Sequence, residues 1–538
     1  MRRFFCIAVL GVLSTVFAAG VSAQTLTMGG EVVSPANMSH MEAAKFAQTE
    51  HAFMSARVAA MGGAFTSLGA DLSSMAINPA GLGMYRTSQL SLSLSWDRTH
   101  STNAASNFAT NTNTMSFNQV GTALNLYQGT GALVSFTLGF AYNKLADLNY
   151  TNRAGWNNGE VTIGEFFAEQ MYGIDPSELG SSAAPFTNPN IYSDQWGGVL
   201  AYRTFFIDPV RDPDTQQYYY VVGGVPLENR IDSSLKVESQ GCVGEYDLSM
   251  GMNFGNVLYL GTTLGIQSIE QMLYYTYTEQ YRGALAGELE YMTYQPMVMN
   301  YGSGVNFKIG AILRPVSGVR LGVAYHSPTA VSLSRDYRTY MRTDAVNDSS
   351  IVSYSYYNSF TYNYSSPSKL LLGASVAIAN RAVLSVDYDR VWYGGMRMST
   401  DGLEESFAND VRADLGTSNN FRVGVEIVPL KNLYIRGGYA YYGSPLNKQA
   451  KEYCDNGGVF FGTYKTHNDN FSLGAGWRFA TGSTLDVVWT LSRAHFTGSV
   501  MYDYYYKDET QQVLVSGPTL TDTVHRNNNV AVTYSVLF

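Results

Sequence analysis

Side chains that alternate in character with a period of two recur along most of this chain, and no other feature restricts its fold as tightly. Leu90, Leu92, Leu94 and Trp96 fall on one face, and Ser91, Ser93, Ser95 and Asp97 on the other. A β-strand separates odd from even residues in this way. The split returns with Tyr246, Leu248, Met250, Met252 and Phe254 against Asp247, Ser249, Gly251 and Asn253. Val305, Phe307 and Ile309 likewise oppose Asn306, Lys308 and Gly310, and Phe421, Val423, Val425 and Ile427 oppose Arg422, Gly424 and Glu426. Phe471, Leu473 and Trp477 stand against Ser472, Gly474 and Arg478. Turn-rich joints at 128–130, 255–256, 315–318, 380–381, 429–432 and 481–483 link such strands in pairs. Longer stretches rich in Tyr, Asn, Asp and Thr lie near 99–113, 144–240, 271–301, 337–352, 395–418, 444–468 and 498–526. Six short joints and seven long ones connect fourteen strands.

Short turns at one end and long loops at the other are the arrangement of a transmembrane β-barrel. A soluble sandwich also alternates, but each apolar face then meets a second sheet. Here the opposite faces carry Lys308, Arg422, Arg436 and Arg478, which suits a wet lumen. Charged residues are only 14% of the chain, against about 25% in typical globular proteins. Mean hydropathy nevertheless stays near zero, at −0.10, because Ser, Thr, Asn and Gly fill the gap. Past residue 23 no apolar run approaches the ~20 residues of a spanning helix, which excludes a helical membrane protein. A net charge of −9 argues against a nucleic-acid partner. The expectation is an all-β fold, a 14-stranded antiparallel transmembrane barrel with periplasmic short turns and external long loops.

The N-terminal part differs in kind. Arg2 and Arg3, an apolar run from Phe4 to Ala19, and Val21-Ser22-Ala23 read as a signal peptide over residues 1–23, cleaved before Gln24. Residues 24–86 do not alternate. His40 to Ala60 is compatible with a helix bearing Met41, Ala44, Ala47 and Phe53 on one face. Arg57 to Phe65, Asp71-Leu72-Ser73-Ser74 and Asn78-Pro79-Ala80-Gly81-Leu82 then combine small residues with a fixed turn. Such a segment can fill a lumen, giving a plug over 24–86 and a barrel over 87–538. Cys6 leaves with the signal peptide. Cys242 and Cys454 could form one bridge, but they fall on distant parts of the circumference. The seven His show no ligand spacing, so neither a metal nor a cofactor is expected.

The run from Arg57 to Leu82, with Asn78-Pro79-Ala80, resembles the N-terminal hatch of the FadL-type long-chain fatty-acid and hydrocarbon transporters. Phe421-Arg422-Val423-Gly424-Val425-Glu426 through Pro429, then Leu433 to Tyr439, resembles a late strand pair of that family. Ser366-Pro367-Ser368-Lys369-Leu370 with Asp387-Tyr388 is a third likeness. The resemblance runs from about residue 50 to the end, and residues 24–50 and 144–240 exceed the family pattern. It implies passive uptake of hydrophobic small molecules across the outer membrane, with a hatch that shifts to release them. Val530, Val532, Tyr534, Val536 and Phe538 share one face. This resembles the terminal signal of bacterial outer-membrane barrels and implies recognition by the barrel-assembly machinery, with outer-membrane lipids around the wall.

Candidate site residues follow. Gly62, Gly63, Asn78, Pro79 and Ala80 are assigned to the hatch, where they gate or merely fix a turn. Leu273, Tyr274, Tyr275, Tyr277, Met292, Met297 and Met299 make 271–301 unusually apolar for an external loop. They read as a capture surface for ligand, or as an aromatic girdle with loop packing. Tyr218-Tyr219-Tyr220 and Tyr504-Tyr505-Tyr506 read as packing or girdle. Arg422, Glu426 and Arg436 should face the lumen and pair with one another or hold the hatch, since a buried charge needs a partner. His326, His495, Asp387 and Asp389 form no recognisable acid–base or nucleophile set, so no enzyme is expected. Two alternatives remain: a FadL-like secretion accessory that binds exported proteins, and a haemin-type receptor.

Overall fold

The computed structural model describes residues 38–538 apart from 104–105, 181–183, 189–190, 224–229, 286, 380, 401–403, 456–464, 481, 497–498, 501–502, 508–511, 517–518 and 521–522. The signal-peptide segment therefore lies outside the described residues, as do the side chains of Cys454 and Tyr504-Tyr505-Tyr506. Cys242 is a free thiol.

Fourteen of the described strands close a single antiparallel ring. β1 (Gln89–Asn103), β2 (Ser106–Gln128) and β3 (Leu133–Asp147) lead to β4 (Ile231–Phe254), β5 (Leu258–Tyr281) and β6 (Leu289–Val316). β7 (Val319–His326), β8 (Lys369–Ile378), β9 (Ala382–Trp392), β10 (Thr417–Leu430) and β11 (Leu433–Tyr442) follow. β12 (Lys465–Arg478), β13 (Thr484–Phe496) and β14 (Thr523–Leu537) complete the wall. Each strand pairs with the next, and β14 pairs with β1 from Leu537 opposite Gln89 to Thr523 opposite Asn103. This is the architecture that the alternation predicts, with the short turns together at one end. Leu92, Leu94, Trp96, Leu248, Phe307 and Val425 are exposed outside, while Ser93, Ser95, Asp97, Ser249 and Glu426 are buried inside. No described helix is long and apolar enough to cross a membrane. A closed ring satisfies its own backbone groups, so an apolar outer belt on it is a membrane-spanning wall.

The strands run further than the sequence reading placed them. Residues 271–301 are not a loop: β5 and β6 continue through them, and only 282–288 connect the two. Residues 99–103 and 106–113 are strand, and much of 337–352 belongs to the strands Ala330–Ala345 and Ile351–Tyr354. The reason is visible along β5. Low in the wall, Leu264 and Ile266 face out and Thr263 faces in. Higher up the sense reverses: Leu273, Tyr275 and Tyr277 are buried inside, while Thr276 and Thr278 face outward. Above the membrane the outer face meets water and the inner face meets protein, so an unbroken strand reads as an irregular polar–aromatic stretch.

What the upper inner face meets is a cap formed by the β3–β4 connection. The strand Tyr150–Gly159 pairs with β4, and the helices Ile163–Gln170 and Trp196–Arg203 precede and follow loop segments. The hairpin Ile207–Arg211 with Tyr218–Val222 completes it. Phe166, Phe167, Trp196 and Leu200 pack with Tyr277, Tyr281, Tyr294 and Tyr337 in one buried cluster. Tyr220 is buried in the cap and Tyr218 packs beside it. Glu279 holds the cap to the wall, accepting from Ile163 N at 2.9 Å, Tyr277 Oη at 2.8 Å and Tyr281 Oη at 2.6 Å.

The helix expected from His40 to Ala60 is three pieces: His40–Phe46, a 3-10 turn at His51–Phe53, and Ala56–Ala60. Ser39 caps the first with a reciprocal bond from Glu42, and Ser55 caps the last through Val58 N. Between them Glu50 N is bonded to Leu145 O of β3. Wall contacts interrupt a pattern that local propensity alone would continue.

Candidate functional site

Residues 56–85 fill the lumen at the level of the membrane. Gly62 and Gly63 turn the chain with φ of 62° and 75°, in the left-handed region that favours glycine. A Cβ on Gly62 would meet Tyr439 N of β11 at 2.8 Å. Phe65 N and Thr66 N both donate to Asp387 of β9 at 2.8 Å. Asn78 works in two directions. Its Oδ1 accepts from Ala80 N at 3.1 Å and caps the 3-10 turn Pro79–Met84, in which Pro79 takes the first position. Its Nδ2 donates to Thr66 O at 2.7 Å and reaches Ala311 O of β6 at 3.3 Å. Ala80 is fully buried.

The wall makes room for this backbone with a belt of glycines that the sequence reading did not single out. Gly251, Gly261, Gly310, Gly322, Gly424 and Gly438 sit on β4, β5, β6, β7, β10 and β11. A methyl group on any of them would collide with Leu82, Pro79, Asn78, Thr66, Met61 or Gly62, respectively. The available signal was a lumen-facing glycine on strand after strand, which marks close backbone approach as readily as a bulge.

Three groups of paired charges lie in the lumen beside the plug. Arg422 pairs with Asp389, its Nη2 lying 2.7 Å from Oδ1, and approaches Asp387 at 3.4 Å. Arg436 joins Glu426 at 2.6 Å and Asp486 at 2.5 Å, and Arg57 of the plug lies 3.7 Å from Glu426. Arg422, Glu426 and Arg436 are thus all buried and inward, the arginines held by acids and Glu426 by Arg436 and Arg57 of the plug. Lys308, flanked by Glu245 and by Asp247 at 3.0 Å, forms the third group. Its network runs through Asn143 and Gln119 to Ser73 of the plug. The acids that complete these groups come from other strands, which is why one strand's sequence does not reveal them.

Above the plug, residues 38–50 lie across the lumen as a strap. Arg335 bonds Glu42 at 3.1 Å, His40 meets Asp414 at 2.8 Å, and Lys369 donates to Thr49 Oγ1 at 2.7 Å and Ala47 O at 3.3 Å. Between strap and wall lies a cavity of about 60 Å³ lined by Thr49, His51, Asn306, Lys308, Lys369 and Asp389. Its lining mixes these polar groups evenly with apolar ones such as Leu145, Leu371 and Val391, and its size suits a few water-sized groups.

The residues assigned to ligand capture divide between two faces. Leu273, Tyr275, Tyr277 and Met292 are buried beneath the cap, as packing partners of its helices. Tyr274, Met297 and Met299 are on the outer face, above the roughly nine to eleven residues with which a strand crosses the hydrocarbon. The structure does not bring the seven together as one surface.

No family model and no curated protein matches this chain. Among solved structures it is similar to the toluene transporter TodX of Pseudomonas putida, at 12% identity and a TM-score of 0.49, over 90% of this chain and 98% of that one. It is similar to the toluene transporter TbuX of Ralstonia pickettii, at 14% identity and a TM-score of 0.44, over 90% and 98%. A FadL homologue of Pseudomonas aeruginosa matches at 12% identity and a TM-score of 0.46, over 91% and 98%.

Proposed function

We propose that this chain is an outer-membrane transport protein, not an enzyme, through which hydrophobic compounds pass without an energy source, with long-chain fatty acids as their class. The observation that carries the reading is the division of the material filling the lumen. Residues 56–85 rest against the glycine belt with no spare room. The strap is held by bonds that a ligand can exchange, from Arg335, Lys369 and Asp414. A molecule entering from the cap end reaches the strap first and the cavity next. At that cavity the Lys369 ammonium donates to neutral oxygens of the strap, a position from which it can take a carboxylate instead. On this reading Asn78, Pro79 and Ala80 are the fixed floor of the gate and residues 38–50 its moving part. The likeness of Arg57–Leu82 to the FadL-type hatch supports the transport reading as a whole.

Uptake decides it. Cells carrying the protein should accumulate a labelled long-chain fatty acid several-fold faster than cells without it. Uptake no faster in cells with the protein than in cells without it, for both the fatty acid and labelled toluene, would overturn the transport reading. The large cap over the mouth supports a second reading, a secretion accessory that docks exported proteins; it would gain from stable capture of such a protein by cells in which uptake fails.

A further inference from the structure

Three arginines stand side by side on the outside of the wall: Arg98 on β1, Arg526 on β14 and Arg493 on β13. The register sets Arg493 opposite Arg526, and Arg526 opposite His100, two residues beyond Arg98 on the same face. A strand crosses the hydrocarbon in about 9–11 residues. Counted from the short-turn end, Arg98 and Arg493 are the tenth residues of β1 and β13, and Arg526 is the twelfth back from Leu537. Below them the outward side chains are Trp96, Trp489, Leu491, Val530 and Val532. The three guanidinium groups therefore mark the upper edge of the apolar belt, on the side of the long connections.

Among the described residues, none of the three has an ion pair or a hydrogen bond. The nearest carboxylate in register, Asp469 opposite Arg493, is already held by Tyr439 Oη at 2.6 Å and lies 3.7 Å from His467. This contrasts with the lumen, where Arg422 and Arg436 are both matched by acids. It also contrasts with a chain whose net charge is −9. Three unmatched like charges repel one another unless an anion sits between them. Here they border a recess of about 600 Å³ whose other walls include Trp96, Leu491 and Asn528. Guanidinium forks match phosphate oxygens in pairs. The apolar part of the recess continues into the membrane belt, so the occupant has a phosphate above and hydrocarbon below.

We propose that this recess binds the phosphorylated head group of an outer-leaflet glycolipid, its acyl chains lying against Trp96, Leu491 and the belt beneath. The assignment of leaflet rests on the proposed outer-membrane orientation; the binding itself does not depend on uptake. Native mass spectrometry of the full chain in a neutral detergent tests it, with a diphosphorylated glucosamine-disaccharide lipid, its dephosphorylated form and inorganic phosphate. The parent protein should retain one phosphorylated lipid with at least tenfold preference over the dephosphorylated form. The variant R98Q/R493Q/R526Q should lose that preference, and inorganic phosphate should neither bind nor compete at equal concentration. No preference in the parent, an equal preference in the variant, or phosphate binding as well as lipid would overturn the proposal. Should the triple variant not yield a folded barrel, R493Q and the comparison of the two lipids on the parent give the same decision. Failure here leaves the transport reading intact, and failure of uptake leaves this one intact.

Discussion

Glu42 and Arg335 meet inside the barrel as a buried ion pair, with Arg335 Nη1 donating to both carboxylate oxygens at 3.1 and 3.2 Å. The pair joins the strap to the upward continuation of the wall. Glu42→Ala leaves a buried guanidinium without its carboxylate, a change that costs about 3–5 kcal/mol. Amide exchange over residues 38–50 should rise at least tenfold while the wall strands stay as protected as in the parent. Unchanged exchange would mean that the strap is held from elsewhere.

Gly310 faces Asn78 with no room for a methyl group. Gly310→Ala should overpack the boundary between plug and wall by about 1–3 kcal/mol. The temperature at which the folded barrel loses its compact electrophoretic migration should fall accordingly. Gly131→Ala, in the β2–β3 turn with nothing within 4 Å of the added carbon, is the matched control and should leave that temperature in place.

Replacing Asn78 and Pro79 together by Ala removes the cap on the 3-10 turn and the restriction on its first residue. The lost cap is worth about 1 kcal/mol; the bonds from Asn78 Nδ2 to Thr66 O and Ala311 O go with it, but the strand-to-strand ladder that closes the wall stays whole. Normal insertion and heat-resistant migration are expected, with altered uptake of a labelled long-chain fatty acid. Unchanged uptake by the folded double variant would reduce both residues to turn formers.

Orientation is open to protease. Added to intact cells, it should cut within the β3–β4 connection, 148–230, and spare the β6–β7 turn at 317–318. The opposite pattern would invert the barrel and move the arginine recess to the inner leaflet.

The wall was legible because each of its lower strands separates lipid from lumen, and that contrast is written as Leu90, Leu92 and Leu94 against Ser91, Ser93 and Ser95. The inward aim of Arg422, Glu426 and Arg436 followed from the same parity. The strap's anchors did not: Glu42 and Arg335 are 293 residues apart, and nothing local in either marks the other. The glycine belt was hidden differently, since Gly310 or Gly424 on a polar face reads equally well as small lumen lining. Residues 271–301 were misplaced because they lie above the change of sense on β5, where buried Leu273, Tyr275 and Tyr277 alternate with outward Thr276 and Thr278 and no face reads as lipid-facing.

That change of sense also sets how deep the barrel sits. Were the wall to sink by two residues on the β5 side, the outward Ser268 and Glu270 would move into hydrocarbon. Were it to rise by as much, Leu264 and Ile266 would move away from it. Either displacement is uphill, so the strand carries its own waterline, independent of any partner or loop. A substitution such as Glu270→Leu would blur that mark without touching the lumen, and the protein would float at a less certain height.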